Sequence, residues 1–201
     1  MGIMKSKPDA KSTPNRKEIT HARIVETAAR AIRRSGYSGT GVADIMKEAG
    51  LTHGGFYAHF ASRDEMLAEA VSLAGTETIA VTEQLFANTP KEQRLWTLMN
   101  AYLSDEHTAN IEMGCSFAAL GSETHRQAPE VRAASTQKIK EMIALVEAEL
   151  SEQSQANARQ DAMLIVSTMV GTLMLARAVD DEALSVALRQ SALKHFAPKE
   201  N

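Results

Sequence analysis

Residues 40–60 read TGVADIMKEAGLTHGGFYAHF, and the spacing inside this stretch decides the fold. Thr40 precedes an apolar set at Val42, Ile45, Met46 and Ala49, whose helical spacing makes one buried face. A threonine there suits a helix cap, because its hydroxyl can accept from a first-turn N–H that lacks a partner. Gly50 follows at once, where a left-handed residue ends a helix without the penalty of a Cβ. Leu51 is the apolar residue of the turn. Thr52 suits the cap of a second helix, which begins His53-Gly54-Gly55 and carries Phe56, Tyr57 and Phe60. Helix, short glycine turn and helix form a helix-turn-helix, whose second helix enters the major groove of DNA. An αα-hairpin inside an ordinary helical bundle has the same outline.

Three features favour DNA. Glycine costs about 1 kcal/mol relative to alanine in a helix, so two in a row need a reason. Bare backbone can approach a surface closely, and helix N-termini favour phosphate; close packing on the preceding helix is the other explanation. Tyr57 and His59 place polar tips beside the apolar Phe56 and Phe60, and such tips suit phosphate oxygens. Ser62-Arg63-Asp64-Glu65 has capping-box spacing, which puts the Arg63 guanidinium near the end of the reading helix, where it can grip a phosphate. The expected DNA-contacting set is therefore Thr40, Thr52, His53, Gly54, Gly55, Tyr57, His59 and Arg63.

The extended stretch TGVADIMKEAGLTHGGFYAHFASRDEML, residues 40–67, resembles the DNA-binding signature of the tetracycline-repressor (TetR) family of bacterial transcriptional regulators. The matching elements are the Ile-x-x-x-Ala-Gly helix, the Leu-Thr-x-Gly turn, the Phe-Tyr-x-His-Phe run and the capped helix after it. The resemblance implies an all-α homodimer that represses promoters by binding a double-stranded operator. It also implies release from DNA when a small molecule enters a pocket in the C-terminal body. Gly55 stands where many relatives carry a small polar residue, so the resemblance does not carry that residue's base or phosphate contact over to this position.

Charge distribution agrees with a basic reader joined to an acidic body. The net charge of the 201 residues is −3. Through Arg63 there are 11 Lys and Arg against 5 Asp and Glu, a net +6, and the remainder carries 11 against 20, a net −9. Hydrophobic content of 44% and no apolar run near the ~20 residues of a membrane span argue against a membrane protein. The single cysteine, Cys115, excludes an internal disulfide framework and suits a reducing cytoplasm, and the start lacks the apolar core of a signal peptide.

The chain divides into a basic, disordered arm over 1–18, a helix-turn-helix domain over 19–65 and a helical effector-binding and dimerisation domain over 66–201. The first helix is expected from about Thr20 to Ser35, with Arg23, Arg30, Arg33 and Arg34 on its surface. A long helix from Arg63 passes into the seventies, bends near Gly75 and continues toward Phe86. Thr89-Pro90 reads as a cap and first helical residue for a helix to Leu103. Ser104 to Gly114 reads as an irregular connection or a short helix, and Met113-Gly114-Cys115-Ser116-Phe117 begins another helix to about His125. Pro129 opens a helix to about Glu152; the last two helices run from about Ala156 to Val179 and from Asp181 to Phe196. The helix over 156–179 is apolar around much of its circumference, so it must be covered on more than one side. The resemblance implies a homodimer through these last two long helices.

In the body, Trp96, Met99, Tyr102, Met113, Cys115, Phe117, Met142 and Met174 are candidates for the effector pocket, since methionines adapt in shape and polar-tipped aromatics suit apolar ligands. Core packing explains any one of them equally. Cys115 at a helix start could be an activated sensor thiol, in which case it needs access to solvent and a lowered pKa. His107, Cys115, Glu123 and His125 match no zinc spacing, so no metal or other cofactor is expected. No phosphate loop, nucleophile elbow or dinucleotide fingerprint is present, which argues against an enzyme. A helical small-molecule binder with a merely structural helix-turn-helix is the competing class.

Overall fold

Asn15 starts the first helix. In this computed structural model, which describes residues 15–150 and 157–198, its side chain accepts from the N–H groups of Lys17 and Glu18 at 2.9 and 3.0 Å. The Glu18 carboxylate returns a bond to the Asn15 N–H at 2.9 Å. This capping box begins α1 at Arg16, so it runs Arg16–Ser35. Residues 16–18 thus belong to the helix rather than to the expected arm; the arm's first 14 residues lie outside the described ones.

The turn after α2 (Val42–Glu48) has the expected chemistry. Gly50 has φ +70°, its N–H donates to the Lys47 carbonyl, and the Leu51 N–H donates to the Met46 carbonyl at 2.8 Å. That pair of bonds is a Schellman stop, which needs a left-handed residue at Gly50. Thr40 does not cap α2. Gly41 occupies the cap position without a side-chain bond, and the Thr40 hydroxyl donates inward to the Gly36 carbonyl at 2.8 Å. The second helix of the motif is a 3-10 turn, His53–Ala58, because six residues with two glycines cannot hold a full α-helical ladder. Thr52 precedes it without a side-chain cap bond.

α3 (Arg63–Ala87) leaves the head as one continuous helix. Ser62 accepts from the Glu65 N–H at 3.0 Å, whereas the Glu65 carboxylate reaches the Ala61 N–H, one residue before the cap. Gly75 serves packing, and the helix runs through it without ending. A Cβ there would stand 2.5 Å from Cγ of Lys138, so the glycine is the notch into which the Lys138 stem lies. The head core comprises Ile45, Met46, Phe56, Phe60, Met66 and Leu67, each at most 2% exposed. Leu120 and Val131 of the body belong to the same apolar cluster, so head and body share one packed junction.

Thr89 and Pro90 behave differently from expectation. The Thr89 hydroxyl donates back to the Leu85 carbonyl, Pro90 is extended, and a 3-10 turn over Lys91–Gln93 precedes α4 (Arg94–Tyr102). Then follow α5 (Asp105–Ala109), α6 (Ser116–Thr124), α7 (Pro129–Glu149), α8 (Ala158–Ala178) and α9 (Glu182–Phe196). The body core gathers Phe86, Leu98, Met99, Leu103, Met142, Val146 and Leu173. By length and mean hydropathy α8 could cross a membrane, as many core helices could, although Arg159, Asp161 and Arg177 interrupt its apolar run. Here it packs on α6, α7 and α9 and leaves one apolar stripe outside: Met163, Leu164, Met174 and Leu175 are 36–56% exposed, beside Leu184 of α9 at 45%. Among the described residues no strand is present.

Candidate nucleic-acid interface and body cavities

The reading segment is built as an apolar anchor beneath a bare, polar surface. Phe56 and Phe60 stack at 5.4 Å between centroids and are buried, which holds the 3-10 turn onto α2. Thr52, His53, Gly54 and Tyr57 then face solvent, Tyr57 at 72% exposure. A Cβ at Gly54 would meet nothing within 4 Å, and one at Gly55 would make only ordinary contact with Met46 and Thr52 at 3.7 Å. Neither glycine has positive φ. Intramolecular packing therefore does not require them; their effect is to leave backbone uncovered on the outer surface.

Two members of the expected DNA set turn inward. Thr40 is 4% exposed. Arg63 donates through Nη2 to the carbonyls of Tyr37 and Thr40, tying the loop between α1 and α2 to the start of α3. Nη2 of Arg63 thus serves as a structural strut, which leaves its other N–H donors for the phosphate contact expected of it. His59 is half-buried: its ring lies 5.9 Å from that of His21, and its Nδ1 is buried without a partner. Lost solvation, and then the charges of His21 and Lys17, hold its pKa below the ordinary histidine value. His21 stacks on Phe60 at 4.5 Å and meets Glu69 of α3 at 2.6 Å.

The sequence pattern missed the charged clasp between head and body. Arg33 is 3% exposed, not on the surface. It donates to Glu77 of α3 at 2.8 Å and to the carbonyl of Glu112, in the loop before α6. Arg34 pairs with Glu48 at 2.9 Å and with the Glu112 carboxylate at 3.1 Å. Gly36, with φ +71°, leaves room for the Glu123 carboxylate, which accepts from the Tyr37 N–H at 3.1 Å. The Tyr37 hydroxyl lies 3.2 Å from Thr124 Oγ1. Spacing held a clue: Val25, Ala29 and Arg33 recur every four residues on one buried ridge of α1.

Among the described residues, two cavities with largely apolar linings open in the body. The first, about 490 Å³, lies between α3, α4 and the segment from α5 to Cys115. Of the expected pocket residues it gathers Tyr102, Met113 and Cys115, with Leu85, Leu98 and His107. The Tyr102 hydroxyl is buried with no nitrogen or oxygen partner, and its polar neighbour is the Cys115 thiol. Burial, followed by the neighbouring Cys115, pushes the Tyr102 phenol well above its usual pKa. His107 receives the Cys115 N–H on Nε2 at 3.1 Å and lies 2.7 Å from the Tyr102 carbonyl through Nδ1. A ring that donates from Nδ1 and accepts on Nε2 is neutral, and burial, as the leading cause, lowers its pKa.

The second cavity, about 470 Å³, lies between α3, α6, α7 and α8, and Tyr37 of the head reaches its wall. It takes Phe117 from the expected pocket set. Met99 and Met142 are core residues, while Trp96 and Met174 line neither cavity. The sensor expectation for Cys115 is not favoured: the thiol is 2% exposed, and burial raises its pKa despite its place before α6. Among the described residues no three His, Cys, Asp or Glu side chains gather as a metal site.

Comparison with known proteins follows the same division of head and body. Residues 24–70 match the family model for bacterial regulatory proteins of the tetR family. Residues 93–190 match the C-terminal domain model of LmrA/YxaF-like transcriptional regulators. The uncharacterized HTH-type regulator YfiR of Bacillus subtilis is 28% identical over 101 residues, 50% of this chain and 47% of the relative, so the chain spans about half that relative's length. The uncharacterized HTH-type regulator Rv0196 of Mycobacterium tuberculosis is 26% identical over 163 residues, 77% of this chain and 82% of the relative. The solved TetR-family regulator of Cytophaga hutchinsonii superposes with a TM-score of 0.79 at 16% identity, covering 94% of this chain and all of that one, which shows a shared fold.

Proposed function

The chain belongs to the tetR family of bacterial transcriptional regulators, and from that premise we propose that it is a ligand-responsive repressor. The observation that carries the proposal is the pairing of a bare reading surface with a rigidly attached, hollow body. Thr52, His53, Gly54, Gly55 and Tyr57 are the contacts offered to DNA, with backbone N–H groups and polar tips reaching phosphate and base edges. Two such heads are needed for a palindromic operator, spaced one helical turn of about 34 Å or a multiple. The apolar stripe on α8 with Leu184 of α9 supports pairing through those helices, since an isolated chain would leave it in water. Such a regulator works in the cytoplasm, where its operator lies.

The cavity beside Tyr102 is the proposed effector site. Its buried phenol, with no nitrogen or oxygen partner and only the weakly bonding Cys115 thiol beside it, suits a small molecule with an apolar body and one hydrogen-bonding group. One wall of that cavity, Met113 to Cys115, directly follows Glu112, whose carbonyl and carboxylate hold Arg33 and Arg34. A ligand that binds better when this loop shifts thereby biases the angle of the head. By linkage, operator binding then weakens ligand by the same factor.

The test is a gel shift with DNA from upstream of the chain's own operon. The wild-type chain retards it, and replacing Thr52, His53 and Tyr57 together with alanine lowers affinity by about 100-fold, since three polar contacts of roughly 1 kcal/mol each are lost. Unchanged retardation by the triple variant rejects this surface as the reader.

A further inference from the structure

We propose that the cavity beside Tyr37 is a second, separate ligand site, and that it takes a small amphiphile with a carboxylate at one end and a hydroxyl at the other. The cavity grades from buried to open. Its inner part is lined by Val71, Phe117 and Leu120, each at most 7% exposed, which suits an apolar body. Ser116 also lies there at 3% exposure, and its hydroxyl has no hydrogen-bond partner in the protein. A buried hydroxyl left unpaired in a cavity wall is a position for a ligand's polar atom. Ser135, 7% exposed, adds another hydroxyl on the α7 side.

The outer part has the opposite character. Arg132 and His125 stand exposed in the lining, no Asp or Glu joins them, and Arg132 makes no ion pair among the described residues. A guanidinium at the mouth of an apolar slot selects a carboxylate, which it can bind with two parallel bonds. The two polar ends then fix the ligand's direction: carboxylate outward at Arg132, hydroxyl inward at Ser116. None of the residues lining this cavity lines the one beside Tyr102, so the two sites can fill independently.

The experiment uses the full chain without DNA, so its outcome is independent of the repressor reading. Isothermal titration compares 10-hydroxydecanoate with decanoate, which lacks the inner hydroxyl, and with 1,10-decanediol, which lacks the carboxylate. The expected result is that 10-hydroxydecanoate binds about tenfold more tightly than either. Ser116→Ala erases its advantage over decanoate, and Arg132→Ala erases its advantage over the diol. Thr136→Trp, from an exposed rim position, blocks all three probes, while Ala101→Trp in the other cavity leaves them unchanged. Ile139→Trp repeats the block if Thr136→Trp lowers the melting temperature. Absence of binding by every probe up to about 1 mM overturns the proposal. So does loss of binding in Ala101→Trp with retention in both rim variants, or binding that ignores both Ser116→Ala and Arg132→Ala.

Discussion

The head and the body solve packing in opposite ways. Tyr37, Phe56, Phe60, Met46 and Met66 close the head core at 0–2% exposure. The body, though larger, leaves two cavities of about 470 and 490 Å³. It also holds four of the six buried side-chain polar atoms without partners among the described residues: those of Tyr102, Ser116, Arg177 and Arg189. A close-packed head keeps its reading surface in one geometry. A body with unfilled space and unpaired polar groups is packed less completely, which suits the ligand-receiving role proposed for it. Between them lies a clasp of charges, Arg33 and Arg34 against Glu77 and Glu112, and under the proposed function this clasp is the route by which a change in the body reaches the head.

The sharpest way to break this contrast is a matched pair of core changes. Phe56→Ala should cost about 3–5 kcal/mol, because the closed head cannot collapse around the lost ring. Ala101→Leu on the wall of the Tyr102 cavity should stay within about 0.5 kcal/mol, since space is already there. Urea denaturation of both variants measures the difference; equal costs would remove the distinction between closed head and open body.

Arg33→Met probes the clasp. Arg33 is buried, but its partner Glu77 is 38% exposed and can be resolvated, so the loss should be about 1–3 kcal/mol rather than that of a fully buried pair. The same variant should weaken the effect of any ligand on operator affinity while leaving ligand affinity for the free protein nearly unchanged. Full retention of that coupling would place the signal elsewhere.

A smaller change separates stability from function within the head. Gly54→Ala and Gly55→Ala have room for the added methyl and no positive φ to strain, so each should stabilise the fold by about 0.4–1 kcal/mol. Each should nonetheless weaken operator binding severalfold by lifting backbone off the DNA. Melting curves and gel shifts on the same preparations check both signs; variants that bind as well as wild type would return the glycines to a purely local role.

The smallest effect concerns Cys115. Its folded pKa is raised, so the folded state favours the protonated thiol. That contribution to stability is complete below the ordinary cysteine pKa and fades as pH rises through and beyond it. Cys115→Ala should therefore flatten part of the alkaline decline in stability, and native Cys115 should alkylate far more slowly at pH 8 than in urea. Rapid native alkylation would restore the thiol as a sensor.

Much of this molecule was legible in the chain alone. Periodic apolar residues, Gly50 and Pro129 mark helices because backbone geometry and apolar burial are local properties repeated every turn. For the same reason residues 53–57 could be placed on the motif's second, glycine-started segment, the surface proposed to meet DNA. Side-chain direction at Thr40, Arg33 and Arg63 was not legible, since each is decided by a partner far along the sequence or by a carbonyl that a turn happens to present. Arg63 has the composition of a phosphate grip, and only folding brings the Tyr37 carbonyl to it. Cavities are less visible still. They are what remains when helices of fixed shape pack imperfectly, so Tyr102 and Ser116 acquire their unpaired hydroxyls from the tertiary structure and from nothing in their own neighbourhood of the chain.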